Sequence, residues 1–235
     1  MHITMIGHST VLLETGGKRL ITDPWFGLYG NPGYARLAPP ARTRQELENV
    51  DAVLVSHNHF DHIDGTFLRR LSPTVPVLAP ATSALMTRLK GGRNVIGMKV
   101  WQGWRLGDIS ITAVPAHHIT FTVGYVIKAE GMCVYFAGDT YFGGFMERIG
   151  RDLRPDIALI PVTTYRIPMT MGETGALQAV RALTPKIVIP IHLGISPRLP
   201  LLRTGQTPES FQERVRRAGL PTEVVILHEG ESYVA

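Results

Sequence analysis

The segment His57-Asn58-His59-Phe60-Asp61-His62 constrains this chain more than any other six residues. It crowds three imidazoles and a carboxylate directly behind Asp51–Ser56, a run with the apolar character of a buried strand. Imidazole and carboxylate are ligands for first-row transition metals, zinc first among them. Side chains alternate along an extended chain, so residues 57 and 59 can face one way while 61 and 62 turn elsewhere. One short loop can thus feed two adjacent metals.

The rest of the chain can house such a site. Its 235 residues are 44% apolar and only 18% charged, the balance of a compact soluble protein with a large core. The start, Met1 to Ile6, lacks a basic region followed by an apolar stretch, so no signal peptide is expected. No apolar run approaches the ~20 residues of a membrane helix. The lone Cys133 lies in a strand-like run, Met132 to Ala137, and reads as a small core hydrophobe. A cytoplasmic location without membrane attachment is the resulting expectation. A formal charge of +5 raises the question of nucleic acid, yet the basic residues are scattered and form no block or aromatic-interleaved motif. No nucleic acid is expected. The excess charge reads as a solvated surface, with attraction of a small anionic substrate as the functional alternative.

Strands are expected over His2–Ile6, Val11–Thr15 and Lys18–Thr22, with a Gly16-Gly17 turn between the last two. A segment rich in Gly and Pro follows, from Trp25 to about Thr43. Its four aromatics, Trp25, Phe26, Tyr29 and Tyr34, predict a folded flap that covers a pocket, meets another copy of the chain, or pins the loop to the body. Arg44–Asn49 reads as a short helix and Asp51–Ser56 as a strand. Beyond the histidine loop, helices are expected at Thr66–Leu71, Ala81–Lys90, Glu173–Leu183 and Pro208–Ala218. Strands are expected at Val75–Ala79, Val95–Trp101, Ile109–Pro115, Val123–Ala129, Met132–Ala137, Ile157–Val162, Lys186–Ile191 and Val224–Leu227. With no linker, low-complexity stretch or fixed repeat, residues 1–235 read as one domain in layers, helices covering sheets.

Three further strands end on ligand-type residues. Ile109–Ala116 runs into His117-His118, Met132–Gly138 into Asp139-Thr140, and Lys186–Ile191 into His192. Singly, each has a dull reading: a histidine after a strand is more often a hydrogen-bonded structural residue, and Gly-Asp-Thr is a common turn. With the histidine loop, and counting one of the adjacent pair His117-His118, they set five of the nine histidines and two aspartates at the ends of apolar strands. A rigid sheet scaffold holds a loop-built site in that way.

With these residues the chain resembles the metallo-β-lactamase superfamily, whose signature is His-x-His-x-Asp-His followed by a downstream His, Asp and His. His57, His59, Asp61, His62, His118, Asp139 and His192 match that set in order. Within the superfamily it is most similar to the branch containing L-ascorbate-6-phosphate lactonase, N-acyl phosphatidylethanolamine phospholipase D and many uncharacterised hydrolases. The matching stretches are Gly7-His8-Ser9-Thr10, Asp23-Pro24-Trp25-Phe26, Val50 through Asp64, Pro115 through His118, Ala137 through Thr140 and Ile189 through His192. They span nearly the whole chain.

The resemblance implies an α/β fold, a four-layer αββα sandwich of two mixed sheets flanked by helices. It also implies a dinuclear metal centre. His57, His59 and His118 would bind one ion, Asp61, His62 and His192 the other, and Asp139 would bridge them. The branch pattern puts the ligand on His118 and leaves His117 behind the ligands or on the substrate side. The two divalent ions are expected to be zinc, with manganese or iron as alternatives. Two such cations ~3.5–4 Å apart lower the pKa of a shared water toward ~7 and polarise a carbonyl or phosphoryl oxygen. Asp61 and Asp139 would be the catalytic carboxylates, Asp61 orienting the bridging hydroxide or accepting its proton. The expected activity is hydrolysis of a small ester, lactone or phosphodiester.

His8 and Asp23 are expected to support the ligands from behind. Tyr141, and Tyr165 with Arg166 on the loop after Ile157–Val162, are candidate substrate contacts together with His117. A metal-dependent nuclease, a mononuclear-iron dioxygenase and a non-catalytic metal-binding protein of the same fold are the competing expectations. The major nuclease group carries an inserted domain before the last histidine, and only residues 140–191 separate Asp139 from His192. The last helix, with Arg214, Arg216 and Arg217, reads as a solvated amphipathic surface. Assembly into a homo-oligomer is open.

Overall fold

Alternating apolar side chains build two sheets that are apolar on both faces, and the rest of the fold follows from covering those faces. The structure, a computed structural model, describes residues 1–235. In the first half, β1 (His2–Gly7), β2 (Thr10–Thr15) and β3 (Lys18–Thr22) form an antiparallel meander. The short β4 (Tyr34–Arg36) lies within the flap. Then come β5 (Ala52–Leu54), α1 (Gly65–Arg70), β6 (Pro76–Pro80), α2 (Ala84–Leu89) and β7 (Asn94–Met98). The second half continues with β8 (Gly103–Leu106), β9 (Ile109–Pro115), β10 (Val123–Ala129), β11 (Met132–Phe136), α3 (Phe145–Leu153) and β12 (Ile157–Pro161). It ends with α4 (Gly172–Leu183), β13 (Ile187–Ile191), β14 (Ile195–Pro197), α5 (Pro208–Arg217), β15 (Glu223–Val224) and β16 (Ser232–Val234).

One mixed seven-stranded sheet has the order β16-β1-β2-β3-β5-β6-β7, the other β15-β13-β12-β11-β10-β9-β8, and β4 pairs with β14 as a separate ribbon. The period-two pattern divides each strand between two cores. Val134 and Phe136 of β11, Leu159 of β12 and Ile189 of β13 meet Leu13, Leu20 and Leu54 of the first sheet in the central layer. Their neighbours Tyr135, Ala158, Ile160 and Val188 face outward to α3, α4 and α5, packing with Ile149, Val180 and Phe211. On the far side of the first sheet, Ile21, Val53 and Val77 pack with Phe67 and Leu68 of α1 and with Phe26 of the flap. The result is a four-layer αββα sandwich. Each fully buried Leu, Ile or Val contributes roughly 1.5–3 kcal/mol of burial free energy to it. Cys133 is buried in the helix-side core, and no helix is long and apolar enough to cross a membrane.

Some expected elements are corrected. Arg44–Asn49 is a run of turns, not a helix. Leu47 N–H reaches only back to Arg44, and the Glu46 carboxylate folds onto the amide and hydroxyl of Thr43. Those local bonds take up the groups of the first turn in place of a helical ladder. The helix expected over Ala81–Lys90 opens as a 3₁₀ turn at Ala81–Ser83 behind Pro80. The strand expected to reach Trp101 stops at Met98, because Trp101 takes a φ of +67° in a tight turn. Sequence periodicity missed β4, β8, β14, β16 and α3, most of them short edge or ribbon elements.

Candidate metal centre

Strand direction brings the ligand loops together. β1, β3 and β5 share one direction, as do β9, β11, β12 and β13. Their C-terminal ends form one edge, where sites of α/β sheets gather. The two sheets touch at that edge: Val123 N–H donates to Ser56 O at 3.1 Å, and Tyr125 Oη–H to Val55 O at 2.9 Å. Gly138 makes the approach possible. It sits at φ +58°, and a Cβ there would lie 2.5 Å from Ser56 Cβ. Only glycine lets the turn before Asp139 come this close to the strand that carries His57.

Asp139 is the centre of the cluster. Its Oδ2 lies 3.1 Å from His192 Nε2, 3.4 Å from His62 Nε2, 3.8 Å from His118 Nε2 and 4.0 Å from His57 Nε2. Asp61 Oδ2 stands 3.9 Å from His62 Nε2 and 4.0 Å from His192 Nε2. His59 Nδ1 lies 3.3 Å from His118 Nε2. Two groups with cation-sized spacing face the cluster, one of His57, His59 and His118, the other of Asp61, His62 and His192 joined by His8, and a third, Asp23 with His57 and His62, adjoins them. His8 Nε2, His57 Nε2, His62 Nε2 and Asp139 Oδ1 are buried without any hydrogen-bond partner. Orphaned polar atoms are costly in a protein interior, and converging imidazole nitrogens and carboxylates are what divalent first-row metals take as ligands. The residues fit a metal centre.

The tautomers follow from the bonds behind the rings. Asp23 accepts from Ser56 N–H (2.6 Å), from the Ser56 hydroxyl (2.6 Å) and from His62 Nδ1 (2.7 Å). With its proton given to Asp23, Ser56 Oγ must accept from His57 Nδ1 at 2.9 Å. In their neutral forms both rings therefore carry the proton on Nδ1 and turn the Nε2 lone pair to the cluster. His8 is held differently. Its Nδ1 accepts from Gly194 N–H at 3.1 Å, so Nε2 carries the proton and faces Asp61 Oδ2 at 3.3 Å. That proton makes His8 a support for Asp61 and not a ligand. Its carbonyl also takes the His192 N–H at 3.0 Å. A Cβ on Gly194 would meet His8 Cβ at 2.7 Å, so this clasp too needs glycine.

Burial sets the protonation states. It pushes His57 well below its ordinary range and His118 to about 4, and it lowers His59, with the other imidazoles adding to the effect in each case. Burial pushes His62 the same way, but Asp139, Asp61 and Asp23 together hold it well above the usual value. Burial would raise Asp139 and Asp61, and their surrounding imidazoles outweigh it and keep both ionised. At Asp23 burial wins over its donors and raises the carboxyl. His8, Asp23 and His192 also hold left-handed backbones, with φ of +60°, +34° and +64°. Non-glycine residues rarely do so, and such strain gathers where surrounding structure fixes a functional geometry.

The other expected site residues are dispersed. His117 is exposed, with its ring edge-on to Phe145, outside the donor groups; His118 is the one in the cluster. Tyr141 Oη–H donates to Pro168 O and so ties down the 163–172 loop. Tyr165 lines a cavity of about 50 Å³ over the ligands, together with Tyr34, Phe60, Met169 and Ile195. Arg166 is exposed and off that cavity, its backbone N–H bound to Leu202 O. The flap is folded: Trp25 and Phe26 are buried, and the Arg36 guanidinium lies 4.0 Å over Trp25 while donating to the carbonyls of Trp25, Gly27 and Ala38. Sequence reading missed Ser56, Gly138, Gly194, Met169 and Ile195. Ser56, a hydroxyl one residue ahead of the first ligand, and Gly138, inside the matching stretch Ala137–Thr140, carried a signal.

Comparisons with known proteins agree with this geometry. A family model described as a β-lactamase superfamily domain matches residues 18–193. The chain is 32% identical to a UPF0173 metal-dependent hydrolase of Archaeoglobus fulgidus, over 99% of this chain and 98% of that protein. Against a UPF0173 metal-dependent hydrolase of Methanopyrus kandleri the identity is 33%, over 99% of both. A solved structure of a metallo hydrolase from the archaeon Ignicoccus hospitalis superposes with a TM-score of 0.79 at 26% identity, covering 99% of this chain and 97% of that one.

Proposed function

The chain belongs to the β-lactamase superfamily and is a metal-dependent hydrolase within it; on that premise we propose a centre of two divalent ions that cleaves a small ester, lactone or phosphodiester. The observation that carries the two-ion reading is Asp139 Oδ2, within 3.1–4.0 Å of imidazole nitrogens from both donor groups. His57, His59 and His118 would hold one ion, Asp61, His62 and His192 the other, and Asp139 would serve both. Zinc is the ion proposed, since imidazole and carboxylate donors suit it, though they also accept manganese or iron. Bound there, a pair of such ions supplies water acidified toward neutral pH and draws charge from the scissile carbonyl or phosphoryl oxygen.

The chain's own residues do the rest. Asp61 Oδ2 lines the cavity beside His8 Nε2–H and is the group to orient the attacking water and hold its proton. Asp139, ionised and buried, fixes the spacing of the two donor groups. Tyr34, Phe60 and Met169 wall the cavity, and their low polarity strengthens each charge interaction inside it. The test is metal analysis of protein as purified, followed by turnover assays with ester, lactone and phosphodiester probes. About two ions per chain with turnover of one probe class supports the reading. Iron with oxygen consumption, or a fully loaded protein that hydrolyses no class, would sink it.

A further inference from the structure

The cavity over the metal ligands has a chemistry of its own. Its volume of about 50 Å³ admits a single reacting group, so the remainder of any substrate must lie against the walls and rim. Those walls are Tyr34, Phe60, Tyr165, Met169 and Ile195, and no lysine or arginine lines the cavity. Of the two phenols in these walls, Tyr34 and Tyr165, the Tyr165 Oη–H is donated to Ile195 O at 3.2 Å. Of the cations around it, Arg36 donates to three flap carbonyls, Lys90 to Asn58 O, Arg198 to Asn31 O and Arg203 to Pro197 O, while Arg166 is exposed and lies off the cavity. The net charge of +5 is therefore not focused on this cavity. Outward, the apolar lining continues. Phe60 is 39% exposed, and the loops that leave the same edge expose Ile119, Phe121 and Ile167 by more than 60% each.

Resting on the hydrolase reading above, we propose that the substrate is an uncharged carboxylic ester, thioester or lactone bearing an alkyl or aryl group. The apolar group lies along Phe60, Met169 and Ile195, which set specificity, while the carbonyl enters the small cavity. A substrate carrying a carboxylate or phosphate away from the scissile bond would bury that charge against apolar walls with no guanidinium or ammonium to meet it. In the reaction the acyl carbon–oxygen (or carbon–sulfur) bond breaks and the water oxygen bonds to the acyl carbon. The proton released from water passes through Asp61 Oδ2 to the leaving alkoxide or thiolate. On this proposal the substrate differs from the small anion that the net charge suggests.

The experiment uses metal-loaded protein and 4-nitrophenyl esters from acetyl to octanoyl, with the succinyl ester as the anionic member and bis-(4-nitrophenyl) phosphate as the diester. Each methylene that reaches the wall should raise kcat/KM about threefold to fourfold over the first few members. The succinyl ester should fall on the order of tenfold or more below butyryl. Phe60→Ser and Met169→Ser should flatten the chain-length slope at unchanged metal content. Binding can be read without turnover, because Trp25 stands edge-on to Phe60 with ring centroids 5.9 Å apart. Alkyl amides of the same lengths should quench tryptophan fluorescence with the same length dependence. A flat slope, a preference for the succinyl ester, or cleavage of the phosphodiester alone overturns this inference and leaves the hydrolase reading standing. No turnover of any probe overturns both.

Discussion

The two donor groups at the sheet edge are unequally supported. In one group His62 donates to Asp23, Asp61 has His8 Nε2 beside it at 3.3 Å, and His192 is held through its backbone N–H by the His8 carbonyl. In the other group only His57 is backed, through Ser56. His118 Nδ1 is buried with no partner, and the one contact of the His59 ring nitrogens is with His118. Partners behind a ligand fix its tautomer and raise its basicity, and losing one typically lowers metal affinity ~10–100-fold. The buttressed group should hold its ion tightly. The bare group should exchange.

The strongest way to break this comparison is to remove what the groups share. Asp139→Ala deletes the carboxylate that approaches both, leaving buried imidazoles facing one another. Metal content should drop to one ion or none, and turnover should fall by on the order of 10³-fold or more. Full occupancy with retained activity would mean that Asp139 is not shared. Next in size is Asp23→Asn, which keeps volume and tolerates the positive φ but withdraws the charge that fixes Ser56 and His62. Both His57 and His62 then lose their set tautomer, so affinity should weaken ~10–100-fold for both ions. A loss confined to one ion would show that the Ser56 relay to His57 carries no weight.

A chelator competition sharpens the contrast without disturbing the buttresses. Metal release should be biphasic, with a fast phase from the His57, His59 and His118 group and a slower one from the buttressed group. His59→Ala should erase the fast phase and preserve the slow one. A single phase in the wild type would count against the asymmetry.

These differences explain what the sequence reveals. Ligands such as His57, His118, Asp139 and His192 follow apolar runs of period two, and strand direction alone sends them to one edge, so fold and donor set can be read from pattern. His8 and Asp23 can be read too, because each ends a strand of the same sheet. The role of Ser56 depends on a hydroxyl proton reaching Asp23, and that of Gly194 on a contact with a residue 186 positions away. Neither leaves a periodic trace. The cavity walls are less legible still. Met169 and Ile195 stand on irregular loops or a three-residue ribbon, where tertiary contacts choose the conformation. His117 and His118 are adjacent and alike; only the backbone turn decides which ring meets the cluster.

The smallest predicted effect separates the two groups with no metal present. In metal-stripped protein the folded pKa of His118 is lowered to about 4, chiefly by burial, whereas the carboxylates around His62 raise its pKa. Unfolded histidines titrate near 6.5. Below that pH the unfolded chain takes up a proton at position 118 that the folded chain refuses, so His118 removes stability as pH falls from about 6.5 toward 4. His62 acts with the opposite sign. Already protonated when folded, it contributes stability below about 6.5 that is lost as pH rises through its raised value. His57, His59 and His8 side with His118, so the apo protein should lose melting temperature between pH 7 and 5. His118→Asn should make that decline shallower and His62→Asn should make it steeper. Equal slopes in the two variants would mean that the carboxylates beside His62 do not distinguish its group from the bare one.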